Sequence, residues 1–151
     1  MNGKGRLAAL GLFLAVVSLS CERLDNQFPK TKEELLRPKT WTITDFVKGP
    51  PGGASISVYA SLLLCERDDE YRFRSENRLF IDAGARRCDS SELQEYRGSW
   101  TLKNDVLLEM YTPHDTVALF IEELTADNMR AYYDELSGTT LSRYTFVFSG
   151  E

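Results

Sequence analysis

From Thr40 onward the chain is a succession of short alternating apolar and polar runs separated by turn residues, and no other feature constrains its folding as much. Alternation at period two places apolar side chains on one face of a strand and polar ones on the other, the pattern of an antiparallel sheet with one buried face. Eight such runs are readable: 40–47, 70–74, 78–82, 97–102, 105–111, 117–124, 128–134 and 141–148. In the first, Trp41 and Ile43 share a face against Thr42 and Thr44. Across the set the inward positions are Trp41, Tyr71, Phe73, Leu79, Trp100, Val106, Leu108, Met110, Leu119, Met129, Tyr133 and Phe146. The separators are turn formers: the Gly-Pro-rich stretch 48–53, the polar turn around Glu76 and Asn77, Asn104-Asp105, residues 112–115, 125–128 and Ser137-Gly138. Eight consecutive antiparallel strands joined by short turns can close on themselves, which removes the sheet edges that invite aggregation. The expected fold is therefore all-β, an eight-stranded antiparallel up-and-down barrel within residues 40–151, with one or two short helices on its N-terminal side.

Residues 55–64 fit two patterns. Ile56, Val58, Ala60, Leu62 and Leu64 alternate as a strand would, whereas Ile56, Tyr59 and Leu63 share a helical face; a short helix closing one end of the sheet is the preferred reading.

Ahead of the barrel, Lys4 and Arg6 precede an uncharged run from Leu7 to Leu19, too short to span a membrane and shaped like a secretory signal. With the cut between Ser20 and Cys21, residues 1–20 resemble a bacterial lipoprotein signal, although Ser18 stands where Leu is usual and Leu19 where a small residue is usual. That resemblance implies acylation of Cys21 by palmitate-type chains and a domain held to the membrane by its lipid, each buried methylene contributing about 0.8 kcal/mol. The alternative is an ordinary signal peptide with Cys21 as a bystander. Residues 21–39 form a polar tether, in which Thr31 and Glu34 fit a capping box for a helical turn or two over 33–37. So short a helix is marginal in water and must dock on the barrel to persist.

Removal of residues 1–20 takes away two cations and no anion, so 16 Lys+Arg face 23 Asp+Glu and the net charge moves from −5 to −7. An acidic domain with no basic cluster lacks the footprint of a nucleic-acid binder and the charge to dock on anionic headgroups.

Three cysteines are an awkward number for an exported chain. Lipidation of Cys21 leaves Cys65 and Cys88 for one another, and export places them where a disulfide persists. Counting outward from Glu76 and Asn77 brings them nearly opposite, and closing a loop of about 24 residues contributes roughly 3 kcal/mol.

The domain also resembles the lipocalin-like domains of small bacterial lipoproteins, mostly of Bacteroidota. The residues that carry the likeness are Trp41, Tyr59, the run Cys65-Glu66-Arg67-Asp68-Asp69 with Tyr71-x-Phe73, then Gly84, Cys88, Gly98-x-Trp100-x-Leu102, Asn104-Asp105 and Glu122-Glu123-Leu124. It departs from the family pattern at Asn77, where glycine is usual at the hairpin turn, and from true lipocalins at Lys39, where they carry glycine two residues before the first-strand Trp. The resemblance covers residues 40–148 and implies a lipocalin-like barrel, with no catalytic residues to carry over.

The residues themselves point away from catalysis. No GxSxG, HExxH, P-loop or dinucleotide fingerprint occurs, no cofactor is implied, and the single His114 lies in a Pro-containing turn. Glu66, Asp68, Asp69 and Glu70 offer oxygen ligands for Ca²⁺, but their spacing matches no EF-hand loop, and an exposed acidic turn or backbone caps is the simpler reading. What remains is the barrel interior, with room for filling side chains or for one small ligand. The expected function is a non-enzymatic, lipid-anchored envelope protein of the outer membrane that binds a small apolar molecule through Trp41, Tyr71, Phe73, Trp100 and Tyr133, the loops 49–53 and 112–116 forming the rim. The alternative is a filled-barrel structural module that engages another envelope protein.

Overall fold

The computed structural model describes residues 29–113 and 115–151. The expected signal segment, Cys21, the first part of the expected tether and His114 lie outside the described residues.

Nine strands make one antiparallel sheet: β1 (Trp41–Gly49), β2 (Ile56–Ser57), β3 (Glu70–Phe73), β4 (Arg78–Asp82), β5 (Glu95–Lys103), β6 (Leu107–Tyr111), β7 (Thr116–Leu124), β8 (Asn128–Ser137) and β9 (Thr140–Gly150). Their order is β2-β1-β3-β4-β5-β6-β7-β8-β9, and β9 returns to pair with β1 from Trp41↔Gly150 to Gly49↔Arg143. The result is a closed eight-stranded up-and-down barrel with β2 added outside the closure, matching the expected fold class.

Two tight turns are shaped by left-handed residues. Glu76 and Asn77 both have positive φ (59° and 57°), as do Asn104 and Asp105 (52° and 57°), the backbone of type I′ turns whose twist suits a hairpin. Asn and Asp tolerate that conformation; Glu76 does so at a steric cost of about 1 kcal/mol. Val106, expected on the inner face, is instead a turn residue whose N–H donates to Lys103 O (3.1 Å), and its side chain is exposed. At Gly98 on β5 a Cβ would run into the backbone oxygen of Tyr111, so only glycine lets β5 and the end of β6 approach so closely.

Two bulges redirect side chains. The β1–β9 register slips between Ile43 and Asp45, which turns Phe46 inward, where strict alternation from Trp41 and Ile43 would have turned it out. A second slip between Ile121 and Glu123 turns Leu124 toward Met129 in the same way.

Residues 55–64 do not form the expected helix. They make the two-residue β2 and a single 3₁₀ turn, Tyr59–Ser61. The reason lies in β1, which meets β3 only at Trp41 and Thr42, leaving one edge of its second half unpaired. Ser57 and Ile56 pair with Val47 and Lys48 there, and Val58 N–H donates to Phe46 O at 2.7 Å, so these backbone groups find partners that a helix would have denied them.

The turns 74–77, 103–106 and 125–127 lie at one end of the barrel, which α1 (Lys32–Leu36) stoppers. Its capping box forms as the sequence suggests: Glu34 N–H donates to Thr31 Oγ1 (3.2 Å) and Thr31 N–H to Glu34 Oε2 (2.7 Å). Leu36 is wholly buried, and Trp41 Nε1 donates to its carbonyl oxygen at 3.0 Å. Trp100 Nε1 donates to Arg74 O at 3.1 Å, Arg74 Nη1 donates to Arg37 O at 2.6 Å, and the Arg37 guanidinium lies 5.9 Å from the Trp100 ring centre. Phe73 meets Trp100 edge-on at 5.4 Å. Each of the two buried indoles thus has its N–H satisfied, which lets large aromatic side chains fill this end without an orphaned donor.

Candidate ligand-binding cavity

At the other end the strands do not close over the interior. The loops 49–55, 83–94 and 112–115 and the β8–β9 turn gather there, opposite α1. Beneath them lies a cavity of about 250 Å³. Its walls come from alternating inward positions: Ile43 on β1, Tyr71 on β3, Ile81 on β4, Met110 on β6, Val117 and Leu119 on β7, and Phe146 and Phe148 on β9. Thr112 and Asp115, from the β6–β7 loop, complete the lining. The volume falls below the usual range for drug-sized ligands and equals about eight waters at ~30 Å³ each. It suits a body of about ten non-hydrogen atoms.

Of the five aromatic residues expected to meet a ligand, Tyr71 lines the cavity. Trp41, Phe73 and Trp100 are buried in the stoppered end. Tyr133 faces inward beside the open end, stacked on Tyr144 at 5.1 Å, in an aromatic wall that continues through Phe46 and Phe146 (4.5 Å). Lys48 caps this wall, its ammonium 4.7 Å from the Tyr144 ring centre, and the closeness of Tyr144 raises the Lys48 pKa. Loop 112–115 supplies part of the lining as expected, while Gly49–Ser55 folds outward over Thr145 and Arg143 and borders a separate polar hollow. The contributions of Ile43, Ile81, Val117 and Phe148 had one signal in the sequence, their inward parity. Nothing in that signal separates a residue that fills the barrel from one that leaves space.

Tyr71 is set apart by its surroundings. Its ring meets Phe148 edge-on at 5.8 Å, its hydroxyl has no hydrogen-bond partner among the described residues, and burial together with the charges of Asp69 and Glu66 pushes its pKa upward. Asp69 precedes β3 by one residue and stands among carboxylates. Half-burial, then repulsion from Glu92, Asp68, Glu66 and Asp82, raises its pKa from 3.8 to about 7.

The neighbouring acidic residues act mainly as caps. Glu66 Oε2 accepts from Leu63 N–H (2.7 Å), Asp68 Oδ2 from Ala85 N–H (3.0 Å), and Asp82 Oδ1 from Gly84 N–H (3.1 Å) and Gln94 Nε2 (2.7 Å). Among the described residues no three His, Cys, Asp or Glu side chains converge as metal ligands. The Cys65–Cys88 disulfide ties the loop before β3 to the loop after β4, with Cα atoms 5.1 Å apart. Both cysteines lie outside the strands, so the bond fastens the open end rather than the β3–β4 hairpin itself. Gly84, at φ 58°, packs so closely on the backbone oxygen of Asp68 that a Cβ has no room.

No protein-family model matches the sequence, and no curated protein is a significant match to it.

Proposed function

We propose that the chain is a membrane-tethered, lipocalin-like lipoprotein that binds a small apolar molecule in the open end of its barrel and performs no catalysis. The observation that carries this reading is the apolar cavity of about 250 Å³ opposite the helix-stoppered end. The closed barrel supports it by supplying rigid walls, since positions held in a continuous hydrogen-bonded ladder keep the space open in the unliganded protein. The tether follows from the resemblance of residues 1–21 to a lipoprotein signal, with Cys21 acylated and the domain held at the cell envelope, on the outer membrane. Replacement of Cys21 by Ala then moves the protein from the membrane to the soluble fraction with its fold intact; persistence in the membrane refutes lipidation. Native mass spectrometry of that soluble chain, exported in its own host, recovers a bound small molecule. Repeated recovery of ligand-free protein that also takes up no added apolar compound defeats the binding reading.

A second reading rests on a different observation: large side chains fill the stoppered half of the barrel, and Ile56, Leu63, Leu64, Leu93 and Leu136 are exposed around the open end. It makes the domain an interaction module for an envelope protein. Crosslinking in the host, with an envelope partner captured and lost on Leu93→Asp or Leu136→Asp, favours this alternative.

A further inference from the structure

The ladder of the barrel parts in two places, and the chain covers one of them with a strand of its own. β1 leaves β3 after Thr42, and there Ile56 and Ser57 pair with Lys48 and Val47, Val58 N–H donates to Phe46 O, and the Tyr59 hydroxyl donates to Ile43 O at 3.2 Å. β7 leaves β8 at the rung Phe120↔Tyr132. Beyond that rung, toward the open end, 116–119 on β7 and 133–137 on β8 share no backbone hydrogen bond. Both stretches stay extended because their other edges are paired, β7 with β6 and β8 with β9.

Alternation decides which main-chain groups face this gap, since successive residues of an antiparallel ladder turn N–H and C=O to opposite edges. Ile121 N–H donates to Val106 O on the β6 side, so Ala118 turns its main-chain groups into the gap. On β8 the two-residue turn Gly138-Thr139 closes with Ser137 paired to Thr140, which sends the main-chain groups of odd-numbered residues to β9 and those of Asp134 and Leu136 into the gap. These groups of Ala118, Asp134 and Leu136 have no hydrogen-bond partner among the described residues, and all three residues are exposed. An unpaired edge is a template for another strand, because a polypeptide backbone presents donors and acceptors at the matching spacing.

We propose that the free edge of β8 is a peptide-docking site, at which an extended segment of a partner protein lies antiparallel to 133–137 and continues the ladder as β2 does at β1. The site requires neither a ligand in the cavity nor the side chains of the exposed leucines. The edge also sets the chemistry of the segment. A residue facing inward beside Tyr133 is apolar, because it shares the inner face with Val117 and Leu119. The residue two positions earlier meets Glu135 and is Lys or Arg. Glu135 is exposed and makes no ion pair among the described residues, and Lys48, which feels its charge, is held on the Tyr144 ring. An acidic segment is disfavoured: neither stretch carries a Lys or Arg, Arg143 is already held by Asp134 (2.8 and 3.0 Å), and the chain has a net charge of −5.

The probe is acetyl-Ser-Thr-Lys-Thr-Val-amide, titrated into the isotope-labelled Cys21→Ala chain and followed through its backbone amide resonances. Saturable shifts centred on Ala118, Asp134 and Leu136 are expected, and the peptide with Glu in place of Lys binds about fivefold more weakly, the scale of one exposed ion pair turned repulsive. Methylation of the peptide's backbone nitrogens abolishes binding. Leu136→Pro removes an N–H from the free edge and none from the β9 ladder, and it also abolishes binding, whereas Leu136→Ala keeps the affinity within about twofold. No saturable shift at this edge, a methylated peptide that binds as well as its parent, or equal losses for Leu136→Ala and Leu136→Pro overturns the proposal. So does a concentration-dependent shift of the same amides without peptide, which assigns the edge to a second copy of the chain.

Discussion

Replacing Asp69 by Asn should stabilise the protein at high pH and not at low pH. In the folded chain the Asp69 carboxyl has a pKa of about 7 against 3.8 for its ordinary value, because half-burial and four neighbouring carboxylates oppose its charge. A folded pKa above the unfolded one means that folding holds a proton that the unfolded chain releases, so stability falls as pH rises from about 4 to about 7. Below pH 4 both states are protonated and the penalty vanishes; above pH 7 it is complete. A shift of roughly three units corresponds to about 4 kcal/mol, and solvent screening at a half-exposed carboxyl reduces this to about 1–2 kcal/mol. Asparagine keeps the shape and removes the titration. Urea unfolding, followed by the fluorescence of the buried Trp41 and Trp100, gives the free energy by linear extrapolation. The expected result is a gain of about 1–2 kcal/mol for Asp69→Asn at pH 8 that shrinks to a few tenths at pH 3.5, where the group is mostly protonated in both states. An equal gain at both pH values, or a loss at pH 8, refutes the claim that Asp69 is held in an unfavourable field.

Two further predictions concern the ends of the barrel. Reduction of the Cys65–Cys88 bond, or the double replacement by Ala, should cost about 3 kcal/mol for a loop of this length, read as a lower urea midpoint; because the bond ties loops outside the strands, the far-ultraviolet circular dichroism of the folded state should not change. Leu36→Ala removes the side chain that stoppers the packed end and should cost about 2–5 kcal/mol, and an effect below 1 kcal/mol would show that α1 does not close the barrel.

The strands, the turns and the helix cap were legible because each rests on local rules. Alternation names the inward face one strand at a time, Asn104-Asp105 suits a type I′ turn wherever it occurs, and Thr31 with Glu34 makes a capping box from four consecutive residues. The candidate cavity was less legible. Tyr71 was anticipated as a ligand contact, yet the same reasoning also named Trp41, Phe73 and Trp100, which the structure packs into the stoppered end. All four have the same inward parity. Their difference is depth along the barrel axis, which depends on where α1 docks and which end the loops leave open.

By itself the sequence determined that this chain makes eight barrel strands, one capped N-terminal helix, and a cysteine pair placed to meet across the β3–β4 hairpin. All of these follow from period, turn chemistry and spacing within short windows. Only the tertiary structure decided what each face meets. The slip at Thr44 exists because β1 must match β9, and it alone carries Phe46 inward to stack on Phe146. The 55–64 segment became an edge strand and a single turn because β1 had unpaired backbone to satisfy. The elevated pKa of Asp69 needs Glu92 and Asp82, brought near by the closing of β3 and β4 on the loop before β5. Period and propensity act between neighbours in sequence, whereas bulges, cavities and electric fields are set by partners that only the closed barrel brings together.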